Sequence, residues 1–171
     1  MTTFLDRIRG RTRVIISETE RALHICKGEL RGILEPGEHS LKNGRGTLVV
    51  ERHALAVPQF RSAYEKALFD KLPEVAEQHL TVIRTNPGEV AIVERDARIH
   101  TVLGPDERLV LWTDAGPWTF TTVDTDAEPD LPRKLMRRLG EAKQTQQFVI
   151  VPVTEGSVAL LFADGVLTRV L

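Results

Sequence analysis

Hydrophobic and polar positions alternate along most of this chain, and the alternation predicts strands far more often than helices. Ala22, His24 and Cys26 alternate with Leu23 and Ile25, so 20–26 reads as a strand, preceded by a shorter apolar run at 13–16. Lys27-Gly28 supplies a tight turn, because glycine accepts the positive φ that hairpin turns demand, and 30–34 returns as the partner strand. Pro36-Gly37 predicts the next turn and 46–52 a further strand. The same order follows later: a strand over 90–94, a turn at Arg95-Asp96, a return over 99–103, then strands over 109–112 and 118–123. Gly104-Pro105-Asp106 stands where Glu35-Pro36-Gly37 stood. A last hairpin spans 157–162 and 166–171, with Asp164-Gly165, a strong short-range hairpin signal, as its turn.

Two stretches switch to helical spacing. Phe60, Tyr64, Leu68 and Leu72 recur every four residues beside Ala63 and Ala67, and Pro73 closes that run. The second helix is expected from Asp130 as N-cap, with Pro132 close behind, to Gly140 as C-cap, carrying Leu131, Leu135, Met136 and Leu139 as its stripe. Each helix leads into a linking strand, 79–84 and 147–153.

These elements are one motif written three times. Aligned on Ala22, Ala91 and Ala159, the copies are offset by 69 and 68 residues, and repetition at a fixed period governs the architecture. The expected fold is therefore α+β and β-dominated, with tandem repeats of β-hairpins packed with one helix each. Residues 1–11 form a tail, 12–78 and 79–146 two units, and 147–171 an incomplete third. Gly28, Pro36, Gly37, Gly104, Pro105, Asp164 and Gly165 are its structural turns.

Composition narrows the partners. Among 171 residues, 42% hydrophobic and 27% charged is ordinary for a globular chain, and a net charge of −1 gives no general pull towards nucleic acid. No apolar run approaches the roughly 18–20 residues of a membrane span, and the first residues lack the apolar core of a signal peptide. With Cys26 alone there is no internal disulfide and no cysteine-rich zinc site. A cytoplasmic chain is expected, touching a membrane only peripherally or through a partner.

The chemistry-bearing residues are sparse. The five histidines show no i, i+4 pair of a zinc site, and no calcium loop or serine-hydrolase elbow is present. His24 and Cys26 share a strand face; a thiol packed beside a half-exposed ring is the reading, against a thiolate–imidazole pair. Gly44-Arg45-Gly46 lacks the Lys-Ser/Thr of a phosphate loop and reads as a hairpin turn. Arg133, Lys134, Arg137 and Arg138 share one face of the second helix, either as a solvated surface or as a patch for an anionic lipid or acidic partner. Phe4, Leu5 and Ile8, among Arg7, Arg9, Arg11 and Arg13, offer the same choice between a capping tail and a membrane touch. Trp112 and Trp118 flank Asp114-Ala115-Gly116-Pro117, as a cross-strand aromatic pair or as a ligand wall. No catalytic residue, metal or cofactor is indicated.

Glu20-Arg21-Ala22-Leu23, then Gly28, then Leu34 with Pro36-Gly37, resembles the opening hairpin of band-7 domains, the stomatin–prohibitin–flotillin superfamily. Copies of that hairpin ahead of a final one resemble the amino-terminal region of bacterial slipins, the stomatin-like proteins. The second copy departs from the motif, with Ala97 at the turn glycine and Asp106 at the Pro-Gly glycine, and the third stops at Leu171. The resemblance implies a homo-oligomer at the inner face of a membrane, acting in membrane organisation or protein quality control, with 147–171 the start of a band-7-like domain.

A non-enzymatic scaffold is accordingly expected. It would assemble through unpaired strand edges, with Ser157, Ala159, Leu161, Val166, Thr168 and Val170 as the assembly edge. The alternatives are a peptide-binding module, or a ligand-binding domain or enzyme with His53, His79 and Trp118 around a cleft between the units.

Overall fold

The structure, a computed structural model, describes residues 10–43, 47–125, 127, 131–149, 151–163 and 165–170. Five strands come first: β1 (Arg11–Ile16), β2 (Glu20–Cys26), β3 (Glu29–Leu34), β4 (Gly37–Lys42) and β5 (Leu48–Ala54). Helices α1 (Glu65–Lys71) and α2 (Pro73–His79) follow. Five more strands are β6 (Leu80–Arg84), β7 (Glu89–Arg95), β8 (Arg98–Leu103), β9 (Arg108–Trp112) and β10 (Trp118–Asp124). Helix α3 (Arg133–Glu141) precedes a last hairpin, β11 (Leu160–Ala163) and β12 (Val166–Val170). The chain is α+β and β-dominated, and its small sheets are antiparallel.

The first ten strands sort into two groups with one pairing scheme. β2 lies between β3 and β5 while β1 pairs β4; β7 lies between β8 and β10 while β6 pairs β9. Even the irregularities agree: β2–β3 slips register between His24 and Ile25, and β7–β8 between Val93 and Glu94. Each two-stranded ribbon covers one face of its three-stranded sheet. Val14, Ile16, Ala22, Leu34 and Leu41 form the core of the first group; Ile83, Ala91, Val93, Leu103, Leu109 and Leu111 form that of the second. Ala22 and Ala91, both fully buried, stand where strand and ribbon meet, and a larger side chain there would force the layers apart.

A third core joins the groups. The other face of β2 and β3 (Leu23, Ile25, Leu30) packs with Phe60, Leu68 of α1 and Ala76 of α2, and with Leu80, Val110 and Trp112 on the outer face of the β6–β9 ribbon. The outer face of the first ribbon is unlike this. There Arg11 opposes Lys42, Arg13 opposes Ser40 and Ile15 opposes Glu38, all exposed. This outer face is therefore mostly polar and charged, with Ile15 its apolar member.

Several expectations are corrected. The helix expected from Phe60 starts at Glu65; Phe60 is a buried core residue whose N–H donates to the Val110 carbonyl at 2.9 Å. Pro73 does not end helical structure but opens α2, where its missing N–H costs nothing, so the first group has two short helices rather than one. Gly37 opens β4 instead of completing a turn; β4 escapes prediction because Glu38, Ser40 and Lys42 face solvent and Leu41 alone is buried. The turn between β7 and β8 is Asp96-Ala97, both at positive φ, rather than Arg95-Asp96. Lys27 and Gly28 make the matching turn as expected.

Further corrections concern boundaries. β5 begins at Leu48, two residues late, and His79 ends α2 rather than starting β6. Gly140 lies within α3, and the left-handed position after it is taken by Lys143. Among the described residues of 147–153 no strand forms, since no partner strand lies beside them. β11 starts at Leu160, leaving Ser157 and Ala159 outside it. The expectations for residues 1–9, Gly44, Arg45, Gly46, Asp130, Asp164 and Leu171 fall outside the described residues, whereas Gly165 has φ +77, as a hairpin turn requires.

Candidate functional site

The β11–β12 hairpin differs from every other strand pair in what it leaves uncovered. Leu160 opposes Val170, Leu161 opposes Arg169, and after a register slip Phe162 opposes Leu167. Opposed residues share a face, so Leu160, Phe162, Leu167 and Val170 form one wholly apolar face. These four are 48–59% exposed. The matching face of β2–β3, with Leu23, Ile25 and Leu30, is buried under α1 and α2. Exposed apolar side chains are common singly, but a contiguous set on an open sheet marks an interaction surface. Val149, Val151, Val153 and Val158, also exposed, extend the apolar character along the preceding segment.

The sequence-predicted assembly edge is only partly brought together. Leu161 and Val166 fall on the opposite face, beside Arg169, and Val170 on the apolar one. Thr168 is the extra residue of the bulge, its hydroxyl donating to the Leu161 carbonyl at 3.0 Å. A bulge re-aims every side chain beyond it, which strict alternation along the sequence does not reveal.

The seam between the two strand groups carries polar ties around its core. Arg21 of β2 donates to Asp114, in the turn after β9, at 2.7 Å, and its side chain is only 11% exposed. Arg108 pairs with Glu65 of α1 while lying over the Phe69 ring. Removing Asp114 leaves a largely desolvated guanidinium without its anion, so Asp114→Ala is expected to cost between about 1 and 3 kcal/mol. Chemical denaturation checks this, and Arg21→Met in the same background should recover part of the loss.

The residues nominated for a cleft attach to three different neighbourhoods. His53 packs against Phe60 and Trp112, ring centroids 5.3 Å apart in both cases, and Glu51 lies 3.0 Å from its Nε2 but out of line for a hydrogen bond. His79, buried at the end of α2, faces Glu35 at 3.7 Å. Trp118 donates its indole N–H to the Trp112 carbonyl at 2.9 Å and meets the His100 ring at 5.2 Å. The two tryptophans are thus tied through a side chain and a carbonyl, and their other ring contacts go to separate partners. Among the described residues His24 Nε2 has no hydrogen-bond partner, and Cys26 on the same strand is a half-buried free thiol.

Burial holds three imidazoles below the ordinary 6.5: His79, where Glu35 and Asp114 oppose the shift and Arg21 adds to it; His24, with Arg31 and His39 adding; and His100, with Arg95 adding. A histidine that is harder to protonate in the folded state leaves the unfolded chain holding more protons at acidic pH. Stability is therefore expected to be level above 6.5 and to fall as pH drops below it, until the folded histidines also protonate. Urea midpoints measured across that range check this; His79→Gln should flatten the slope.

Basic residues of α3 divide. Arg138 pairs with Glu94 of β7 at 2.8 Å and donates to the Ala97 carbonyl at 3.1 Å, so it anchors the helix to the sheet. Arg137 reaches Glu141 at 3.5 Å from an exposed position, and Arg133 and Lys134 are exposed. One further cationic group has no forecast in the sequence reading: Arg95 and Arg98, directly opposed across the β7–β8 turn, with His100 beside them. The signal was present, since both arginines flank the turn, but only the register makes them neighbours. No family model, curated protein or solved structure matches this chain.

Proposed function

We propose that this chain is a non-enzymatic scaffold of tandem hairpin units, similar in plan to the amino-terminal region of a slipin. It assembles with itself and acts beside a membrane in membrane organisation or protein quality control. The common strand order and common bulge of the two groups, on a sequence offset of 69 residues, support the tandem-unit reading. The observation that carries self-assembly is the uncovered apolar face of Leu160, Phe162, Leu167 and Val170 on a hairpin with open edges.

The occupant of that face is the same face of a second copy. It is apolar and without charge, hence able to pack on itself, and a two-stranded hairpin alone is marginal in water. For membrane proximity the support is the resemblance and the exposed cations of α3; no helix among the described residues is long and apolar enough to cross a membrane. Light scattering after size exclusion tests the assembly. The full chain is expected to be a concentration-dependent oligomer and the chain lacking residues 157–171 a monomer; a full chain that stays monomeric at high concentration sinks the proposal.

A further inference from the structure

The tip of the β7–β8 hairpin opposes like charges. Arg95 and Arg98 are direct register partners, and like charges directly opposite one another destabilise a sheet. Neither makes an ion pair among the described residues, although Glu94 next door is engaged by Arg138. The corresponding hairpin β2–β3 has no such conflict. There Cys26 opposes Glu29, and Glu29 pairs with Arg31 at 2.7 Å. The cations are therefore a feature of one hairpin rather than a requirement of its architecture.

The surroundings are those of a site. An open depression on the surface of the hairpin tip is lined by Arg95, Asp96, Arg98, Ile99 and His100. Trp118, the register partner of Arg95 on its other side, supports both side chains from beneath: the Arg95 guanidinium lies 5.7 Å from the ring centroid and the His100 ring 5.2 Å. Ala97 holds a left-handed conformation, costly for a residue with a Cβ, at the turn where β2–β3 has glycine, and Arg138 fixes its carbonyl. The hairpin tip is thus held in place from β10 and from α3.

We propose that this tip is an anion site that binds the phosphate of a small phosphate ester. Two guanidinium forks supply bidentate donors to the phosphate oxygens, and the anion removes the repulsion between Arg95 and Arg98. The imidazole of His100 adds a donor, and Ile99 in the lining offers apolar contact to the organic part. Asp96, the acidic group in the lining, sits on the exposed turn and offsets part of the positive charge of the two arginines. The phosphate belongs either to a soluble ester or to a lipid headgroup; the recognition chemistry is the same.

The test uses the full chain at constant ionic strength, with chloride replaced stepwise by inorganic phosphate or glycerol phosphate. His100 ring resonances are followed by NMR, and His100→Gln assigns them. Saturable shifts are expected, with the His100 titration midpoint moving up as phosphate binds. Arg95→Gln/Arg98→Gln is expected to lose more than about tenfold in affinity, since a charge-assisted hydrogen bond is worth at least that factor. Arg95→Lys/Arg98→Lys, which keeps the charge and the fold but lacks the forks, should be intermediate. In a second arm, sedimentation with phosphatidylcholine vesicles is compared with and without phosphatidate. Glycerol phosphate binding without vesicle binding assigns a soluble ester; phosphatidate-dependent binding that the glutamine pair abolishes assigns a headgroup. Shifts that do not saturate, or that are equal in the glutamine pair, overturn the site.

Discussion

Phe162→Lys is expected to convert an assembled chain into monomers. Phe162 is 56% exposed in the isolated chain, so a partner has roughly half a side chain left to cover, worth about 1 kcal/mol on the scale of full aromatic burial. In a two-fold interface each substitution counts twice, and the lysine ammonium adds a desolvation cost. Together these raise the dissociation constant by at least about 100-fold. Light scattering across a dilution series reads that change directly. Phe162→Leu, which keeps an apolar group, should remain within about tenfold of the parent. An unchanged mass for the lysine variant would remove Phe162 from the contact and the apolar face from the argument.

The same assembly is expected to stop at two chains. Head-to-tail growth needs a second apolar surface to receive the hairpin, and an interface that does not close gives filaments. The outer face of the β1–β4 ribbon presents Arg11, Arg13, Glu38, Ser40 and Lys42, with Ile15 among them. The equivalent face of β6 and β9 presents Leu80, Val82, Val110 and Trp112 and is already covered by the helices. One surface is thus largely charged and the other apolar, which favours apolar surface against apolar surface. A ladder of masses beyond the dimer contradicts this.

How much of this was legible in the sequence follows from where each element gets its stability. β2, β3 and β7 bury at least one face and β8 is largely half-buried, so alternation and turn residues announce them within a residue or two. β4 buries Leu41 and leaves its other face to solvent, so its pattern is too thin to see and only its pairing with β1 makes it a strand. Conversely, the run around 147–153 has the valines of a strand but no partner among the described residues, and apolar alternation alone does not form a ladder. At Pro73 the rule that proline ends a helix met the equally physical rule that proline starts one. The candidate surfaces show the same division. The hairpin itself was readable from Gly165 and the flanking apolar residues, but which of them share a face depends on a bulge. The Arg95–Arg98 pair likewise depends on register, which is a property of the folded sheet.

Trp112→Ala is expected to be among the most destabilising single changes in the chain. Trp112 is fully buried and occupies the core where β2 and β3 of the first group, the helices, and the β6–β9 ribbon meet. Phe60 packs edge-on against it at 5.0 Å, and its carbonyl accepts the indole N–H of Trp118. Truncating a buried tryptophan costs about 3–5 kcal/mol, because apolar burial is lost and the cavity collapses only in part. Against a total stability of about 5–15 kcal/mol, this brings the chain close to unfolding at ordinary temperature. A fall in melting temperature of about 6–20 °C follows for a chain of this size. The residue also joins the two strand groups, so its loss should reduce cooperativity as well as stability. In urea, the parent is expected to unfold in one transition and the alanine variant in a broader or split one, with a smaller slope for each phase. Trp112→Phe keeps most of the volume and should lie between them. An alanine variant within about 1 kcal/mol of the parent, unfolding in a single unchanged transition, would show that the seam does not hold the two groups together.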